Sequence, residues 1–173
     1  ETDTNVGRLV QELRTRGALE NTLILFHLDN GPNSERFNVG LRGIKGSVYD
    51  GGVRSPLIAH WPAQLEPHVN DDATAAHIDV MPTILDACNV ELCANAEPLD
   101  GQSLLPVLRG EADSIEPRDI VIQAHRGDRL VKHHHMLLRR GKWKLVNHSG
   151  FGKEHPIEVT EIEPDFELYD LAR

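Results

Sequence analysis

Positive charge is in short supply in this chain of 173 residues: 18 Lys and Arg stand against 27 Asp and Glu, a formal net charge of −9. A nucleic-acid-binding protein presents a clustered basic face to the phosphates, and this balance speaks against one. Long apolar runs are missing as well. None approaches the roughly 18 residues that cross a bilayer as a helix, and the N-terminus lacks the basic, apolar, small-residue pattern of a secretory signal. Cysteine is reduced to Cys88 and Cys93, in DACNVELCANAE. A local disulfide between them is conceivable, yet two cysteines establish no oxidising compartment. Neither stands beside the basic or histidine-rich neighbours that activate a thiolate, so both are expected to be structural. Aromatics are sparse at 5%, but 39% hydrophobic and 26% charged residues are ordinary for a globular protein and exclude disorder.

What is present reads first as alternating helix and strand. Val6, Leu9, Val10 and Leu13 recur at helical spacing before Gly17, which predicts an amphipathic helix over 4–16 capped by Asp3 or Thr4. The chain has no initiator Met and this periodicity is already running at the sixth residue, so a start inside a longer protein is expected. Leu23 to Leu28 is an apolar run broken only by His27, the pattern of a central parallel strand buried on both faces. SPLIAHWP supplies a second strand. HIDVMPTILDAC reads as a helix with Pro82 in its first turn and Ile78, Met81, Ile84 and Leu85 as its apolar face. A turn at Asp100 and Gly101 precedes a short helix ending at Gly110.

Past Pro117 the character changes. RDIVIQAH, HMLLRRGKWKLVNH and FELYDLA read as strands, with Arg140 and Gly141 at a hairpin turn. The fold class is therefore α/β, with residues 1–117 as core and 118–173 as a small antiparallel subdomain. Lys142 and Lys144, near Arg139 and Arg140, form the dense basic patch of the chain and are expected to be a solvated strand and turn. His133, His134 and His135 are expected to alternate in direction along a strand, which leaves them no shared metal-ligating face.

The stretch from 30 to 55 has no sustained period and is too long for a simple connection, which marks a functional loop. Asp29 and Asn30 stand at its entrance, at the end of a strand, where open α/β sheets bind ligands. A carboxylate and an amide oxygen suit a hard cation, Ca²⁺ or Mg²⁺, if the Gly31–Pro32 turn brings both to one side; an Asx turn capping the strand is the alternative. Lys45 lies between Gly43 and Gly46, free either to meet an oxyanion or to stay hydrated at the surface. Arg54 is expected to clamp the loop, with Asp29 or Asp50 as its carboxylate partner.

Six pieces in order resemble the C-terminal part of a type I sulfatase, in the alkaline phosphatase superfamily: VGRLVQELRTRGALENTLILFHLDNG, LRGIKGSVYDGGVRSPLIAHWP, HIDVMPTILDAC, LDGQSLLPVLRGE, RRGKWKLV and ELYDLA. The resemblance implies a large mixed sheet sandwiched by helices, with a small antiparallel sheet after it. It also implies that Asp29 and Asn30 ligate a divalent cation, usually calcium, and that Lys45 contacts the sulfate of a sulfate ester. The family's nucleophile is a formylglycine made from cysteine in C-x-P-x-R. Here Cys88 precedes Asn89 and Val90, and Cys93 precedes Ala94 and Asn95, so the motif is not encoded. This implies a chain inactive alone, associating with itself or with an N-terminal half. Family habit favours export. The alternatives are a non-catalytic binding module and a phosphate or phosphonate ester hydrolase of the same superfamily. His27 and His77 are expected to be structural.

Overall fold

The computed structural model describes residues 1–125, 129–149 and 158–172; of the expected subdomain 118–173, residues 126–128, 150–157 and 173 lie outside the described residues. The architecture is mixed α/β with two small antiparallel sheets. Two compact units divide the chain: Glu1–His27 with Leu57–Glu116, and Leu28–Pro56 with Pro117–Arg173.

In the first unit, helix α1 (Thr2–Thr15) forms where the 3.6-residue period predicts it, but none of its residues is buried. Strand β1 (Ile24–His27) follows, and after the long excursion of 28–56 the chain returns as β2 (Leu57–His60). The two pair antiparallel, Ile24 opposite His60 and His27 opposite Leu57. The parallel partner expected for β1 is thus replaced by an antiparallel one, and the strand is half-buried, not sealed on both faces. A largely apolar run encodes burial, and says nothing of the direction of the neighbouring strand. Helix α3 (Val80–Ala87) carries Pro82 in its first turn, where the missing N–H costs no hydrogen bond. A four-residue helix, α2 (Asp50–Val53), belongs to the second unit.

Asp79, fully buried, ties the turns around α3 together. Its carboxylate accepts from the backbone N–H of Ala76 (2.7 Å) and of Gln102 (2.9 Å). Thr83 repeats the device: its hydroxyl donates to Asp79 O (2.6 Å) and accepts from Leu104 N–H (2.8 Å). Gly101 permits this approach, since a Cβ there would lie 2.0 Å from Ile78 O. Leu104 and helix α4 (Leu105–Leu108), with Leu105 and Val107 buried, complete the core of this unit.

The second unit holds a four-stranded antiparallel sheet in the order β3 (Asp119–Gln123), β4 (Met136–Arg140), β5 (Trp143–Asn147) and β6 (Phe166–Asp170). The hairpin between β4 and β5 pairs Arg140 with Trp143, so its loop residues are Gly141 and Lys142, one position later than expected. Gly141, at φ 55°, takes the left-handed conformation that a two-residue hairpin requires of its first residue. Val48, Leu137 and Val146 make the core, with Tyr49, Val53, Ile122 and Tyr169 against them.

Candidate functional site

The loop of residues 28–56 is rich in glycine because its backbone folds on itself. A Cβ at Gly31 would meet Gly51 O at 1.9 Å, one at Gly51 would meet Gly43 O at 2.0 Å, and one at Gly52 would meet Ser47 O at 2.1 Å. Any side chain at these positions would push backbone from backbone. Main-chain hydrogen bonds hold the stack: Gly31 N–H to Gly52 O, Lys45 N–H to Pro32 O and Gly51 N–H to Arg42 O, each 2.8 Å.

Around this stack lies a cavity of about 670 Å³, and Asp29, Asn30, Lys45 and Arg54 are all among its lining residues, with Phe37, Val39, Pro32 and Pro56. The structure therefore brings together the three positions singled out from the sequence. Asp29 and Lys45 are exposed and Asn30 is half-buried. The Asn30 amide nitrogen donates to Gly31 O (2.8 Å), which leaves Oδ1 as the atom a cation would meet. Two oxygen donors of this chemistry fit a hard divalent cation in part, and the remaining ligands would have to come from water or from elsewhere. Among the described residues no group of three His, Cys, Asp or Glu side chains is placed to hold a metal ion.

Arg54 lines the cavity, but its expected ion pair does not form among the described residues. Asp50 is taken instead by Lys144, whose Nζ lies 2.5 Å from Oδ1. Lys144 is 3% exposed, so the expectation of a solvated residue is overturned. Burial pulls its pKa down, and the hydrogen bond and charge of Asp50 oppose that pull. The signal was readable: Lys144 stands two residues before Val146, on the same face of β5, and Val146 is fully buried.

The histidine tract is not in a strand either. His133 to His135 form the turn before β4, with φ of 62° at His133 and 36° at His135. His134 and His135 are buried, and the Nε2 atom of His135 lies 2.9 Å from Gly46 O, one residue after Lys45. Glu167 is a third residue that sequence reasoning missed. It accepts from Tyr49 OH (2.9 Å), from Tyr169 OH and from Arg42 Nη1 (2.9 Å), while the Arg42 guanidinium stacks 3.8 Å from the centre of the Tyr49 ring. No local pattern announces the contacts with Tyr49 and Arg42, because each lies more than a hundred residues from Glu167.

His27 and His77 are both exposed and meet edge to face at 5.2 Å. Cys88 and Cys93 are free and exposed, so neither a disulfide nor a buried packing role is present. No described helix is long and apolar enough to cross a membrane.

The family model described as Sulfatase matches residues 1–90. Arylsulfatase A of Homo sapiens is 39% identical over 119 residues, covering 66% of this chain and 23% of that protein. A solved structure from work on glycosaminoglycan metabolism by Bacteroides thetaiotaomicron superposes with TM-score 0.72 at 24% identity, over 99% of this chain and 37% of its own. Another, in complex with its substrate D-glucosamine-2-N,6-O-disulfate, gives TM-score 0.67 at 24% identity over 98% and 32%. The chain thus spans about a quarter to a third of the length of these proteins.

Proposed function

The chain belongs to the sulfatase family, and on that footing we propose that it supplies one side of the active site of a sulfuric ester hydrolase. Lys45 contacts the sulfate group, and Asp29 and Asn30 contribute two of the oxygens that hold a Ca²⁺ or Mg²⁺ ion. The observation that carries this reading is the shared cavity: an acidic, an amide and an ammonium side chain line one space at the end of a glycine-stacked loop. The substrate class follows the family, and the solved relative holding a disulfated glucosamine is in keeping with it.

In hydrolysis of a sulfate ester, negative charge spreads over the non-bridging oxygens as the ester bond lengthens, and a preorganised cation opposite them lowers the barrier. Lys45 is that group in this chain. Its ammonium is a point charge with three donors, suited to an oxyanion that changes shape during the reaction. A divalent cation, when bound, adds Lewis-acid charge on the same oxygens. Asp29 lowers the cost of binding that ion by bringing a formal negative charge, and Asn30 brings a neutral oxygen. The formylglycine nucleophile comes from a C-x-P-x-R segment that these residues do not encode, so the chain alone is inactive.

The reading includes a partner. Val6 and Leu9 on α1, and Ile78, Met81 and Ile84 around α3, are large apolar side chains left exposed. An N-terminal half of the same enzyme is the natural cover for such faces.

An arylsulfate turnover assay tests the proposal, run on this chain and on the product of the whole reading frame. No turnover is expected from the chain and measurable turnover from the longer product, lost in its Lys45→Met variant. Turnover by the chain alone would overturn the division of labour, and an inactive longer product without C-x-P-x-R would overturn the hydrolase reading.

A further inference from the structure

The residue that meets the sulfate stands between two left-handed glycines, Gly43 at φ 89° and Gly46 at φ 86°. Lys45 N–H to Pro32 O holds its main chain from within the loop, and further contacts hold the loop from outside. We propose that His135 and Lys144 are positioning residues for Lys45, gripping its loop from the C-terminal sheet, an inference that rests on the reading of Lys45 as the sulfate contact.

The grips lie on both sides of Lys45. Behind it, the His135 ring bridges two main-chain carbonyls, Nε2 lying 2.9 Å from Gly46 O and Nδ1 3.0 Å from His148 O; with its hydrogen on Nε2 it donates to Gly46 O, and at 2% exposure that contact is shielded from competing water. Farther along, Val48 is 1% exposed against Leu137 and Val146. Then Lys144 reaches Asp50 from a strand residue whose stem is buried, fixing the first residue of α2. In front of Lys45, Arg42 is held on Glu167 and Tyr169, and its guanidinium lies over the Tyr49 ring that follows the loop. Residues 42, 46, 48, 49 and 50 each have a partner in the C-terminal sheet or the turn before it, and Lys45 is left facing the cavity between them. Immobilising a loop around a charged group removes the entropy that group would otherwise lose on meeting its ligand.

Lys144→Met keeps the buried stem and removes the ammonium. Two quantities are read in the 173-residue chain: amide hydrogen exchange at Lys45 and Gly51, whose N–H groups bond Pro32 O and Arg42 O, and the affinity for inorganic sulfate, followed by the amide signals of Gly43, Lys45 and Gly46. Lys144→Met is expected to speed exchange at both amides at least about tenfold and to weaken sulfate about fivefold, with the β3–β4 ladder amides unchanged. Asp50→Asn should give the same changes, and the double variant no more than either single one. Should Lys144→Met loosen the ladder too, Tyr49→Phe, which deletes the hydroxyl bonded to Glu167 and keeps the ring against the core, reads the same amides. Unchanged exchange and sulfate affinity in both variants would overturn the positioning role. Faster exchange with no sulfate response in the wild-type chain, or with the same response in Lys45→Met, would support the grip and overturn the assignment of Lys45.

Discussion

A glycine's value at one position depends on what its missing Cβ would strike. Gly51 and Gly7 make the contrast. A Cβ at Gly51 would sit 2.0 Å from Gly43 O and 2.8 Å from Arg42 O, both main-chain atoms that cannot rotate aside, whereas Gly7, on exposed α1, has nothing within 4 Å. Gly51→Ala is therefore expected to cost about 2–4 kcal/mol, and Gly7→Ala to stabilise by about 0.5–1 kcal/mol through helix propensity. Urea denaturation midpoints check both; a neutral Gly51→Ala would mean the stacked loop is not part of the folded core. At this scale the sequence was a fair guide to candidates and a poor guide to partners. Asp29, Asn30 and Lys45 stood out by residue type and by the glycines around them. That Asp50 would be claimed by Lys144 and not by Arg54 was invisible, because 94 residues separate the pair.

At the scale of elements, the C-terminal sheet carries a pH dependence through its link to the loop. Hydrogen bonding from Tyr169, and then from Tyr49, holds the Glu167 carboxyl below its ordinary 4.5. Burial, and then the hydrogen bond to Glu167, pushes the Tyr49 hydroxyl from 10.0 up to about 12. A carboxyl lowered by folding contributes stability above its unfolded value and loses it as the pH falls through the folded one. A hydroxyl raised by folding contributes below its unfolded value and loses it as the pH climbs toward 12. The contribution of this pair to stability is thus expected to be level between 4.5 and 10.0 and to decline on either side. Denaturation midpoints across pH test this, and Glu167→Gln should make the acid limb shallower; an identical limb in that variant would remove Glu167 from the account. Elements were the most legible level of the fold. The period of α1, the proline-started α3 and the β4–β5 hairpin all follow from local spacing and turn chemistry. The antiparallel pairing of β1 did not, since a buried strand looks the same from either neighbour.

For the molecule as a whole, hydrophobic pattern and exposure disagree in an informative way. The residues expected to pack beneath α1 and α3 are open, Leu9 at 54% and Met81 at 52% exposed. Apolar faces of this kind associate in water. Size-exclusion chromatography at rising concentration is expected to show species larger than a monomer, reduced in a Leu9→Glu, Met81→Glu double variant. A compact monomer at every concentration would contradict it. The division into two units cuts across chain order, with residues 28–56 grouped with the C-terminal sheet. The glycine stack at 31, 51 and 52 explains how such an excursion can keep its path: its tightest contacts run from main chain to main chain. Phe37 and Val39, 69% and 89% exposed at the rim of the cavity, take no part in those contacts. Substitutions at these two positions are accordingly expected to reshape the wall of the cavity while leaving the stacked main chain on its path.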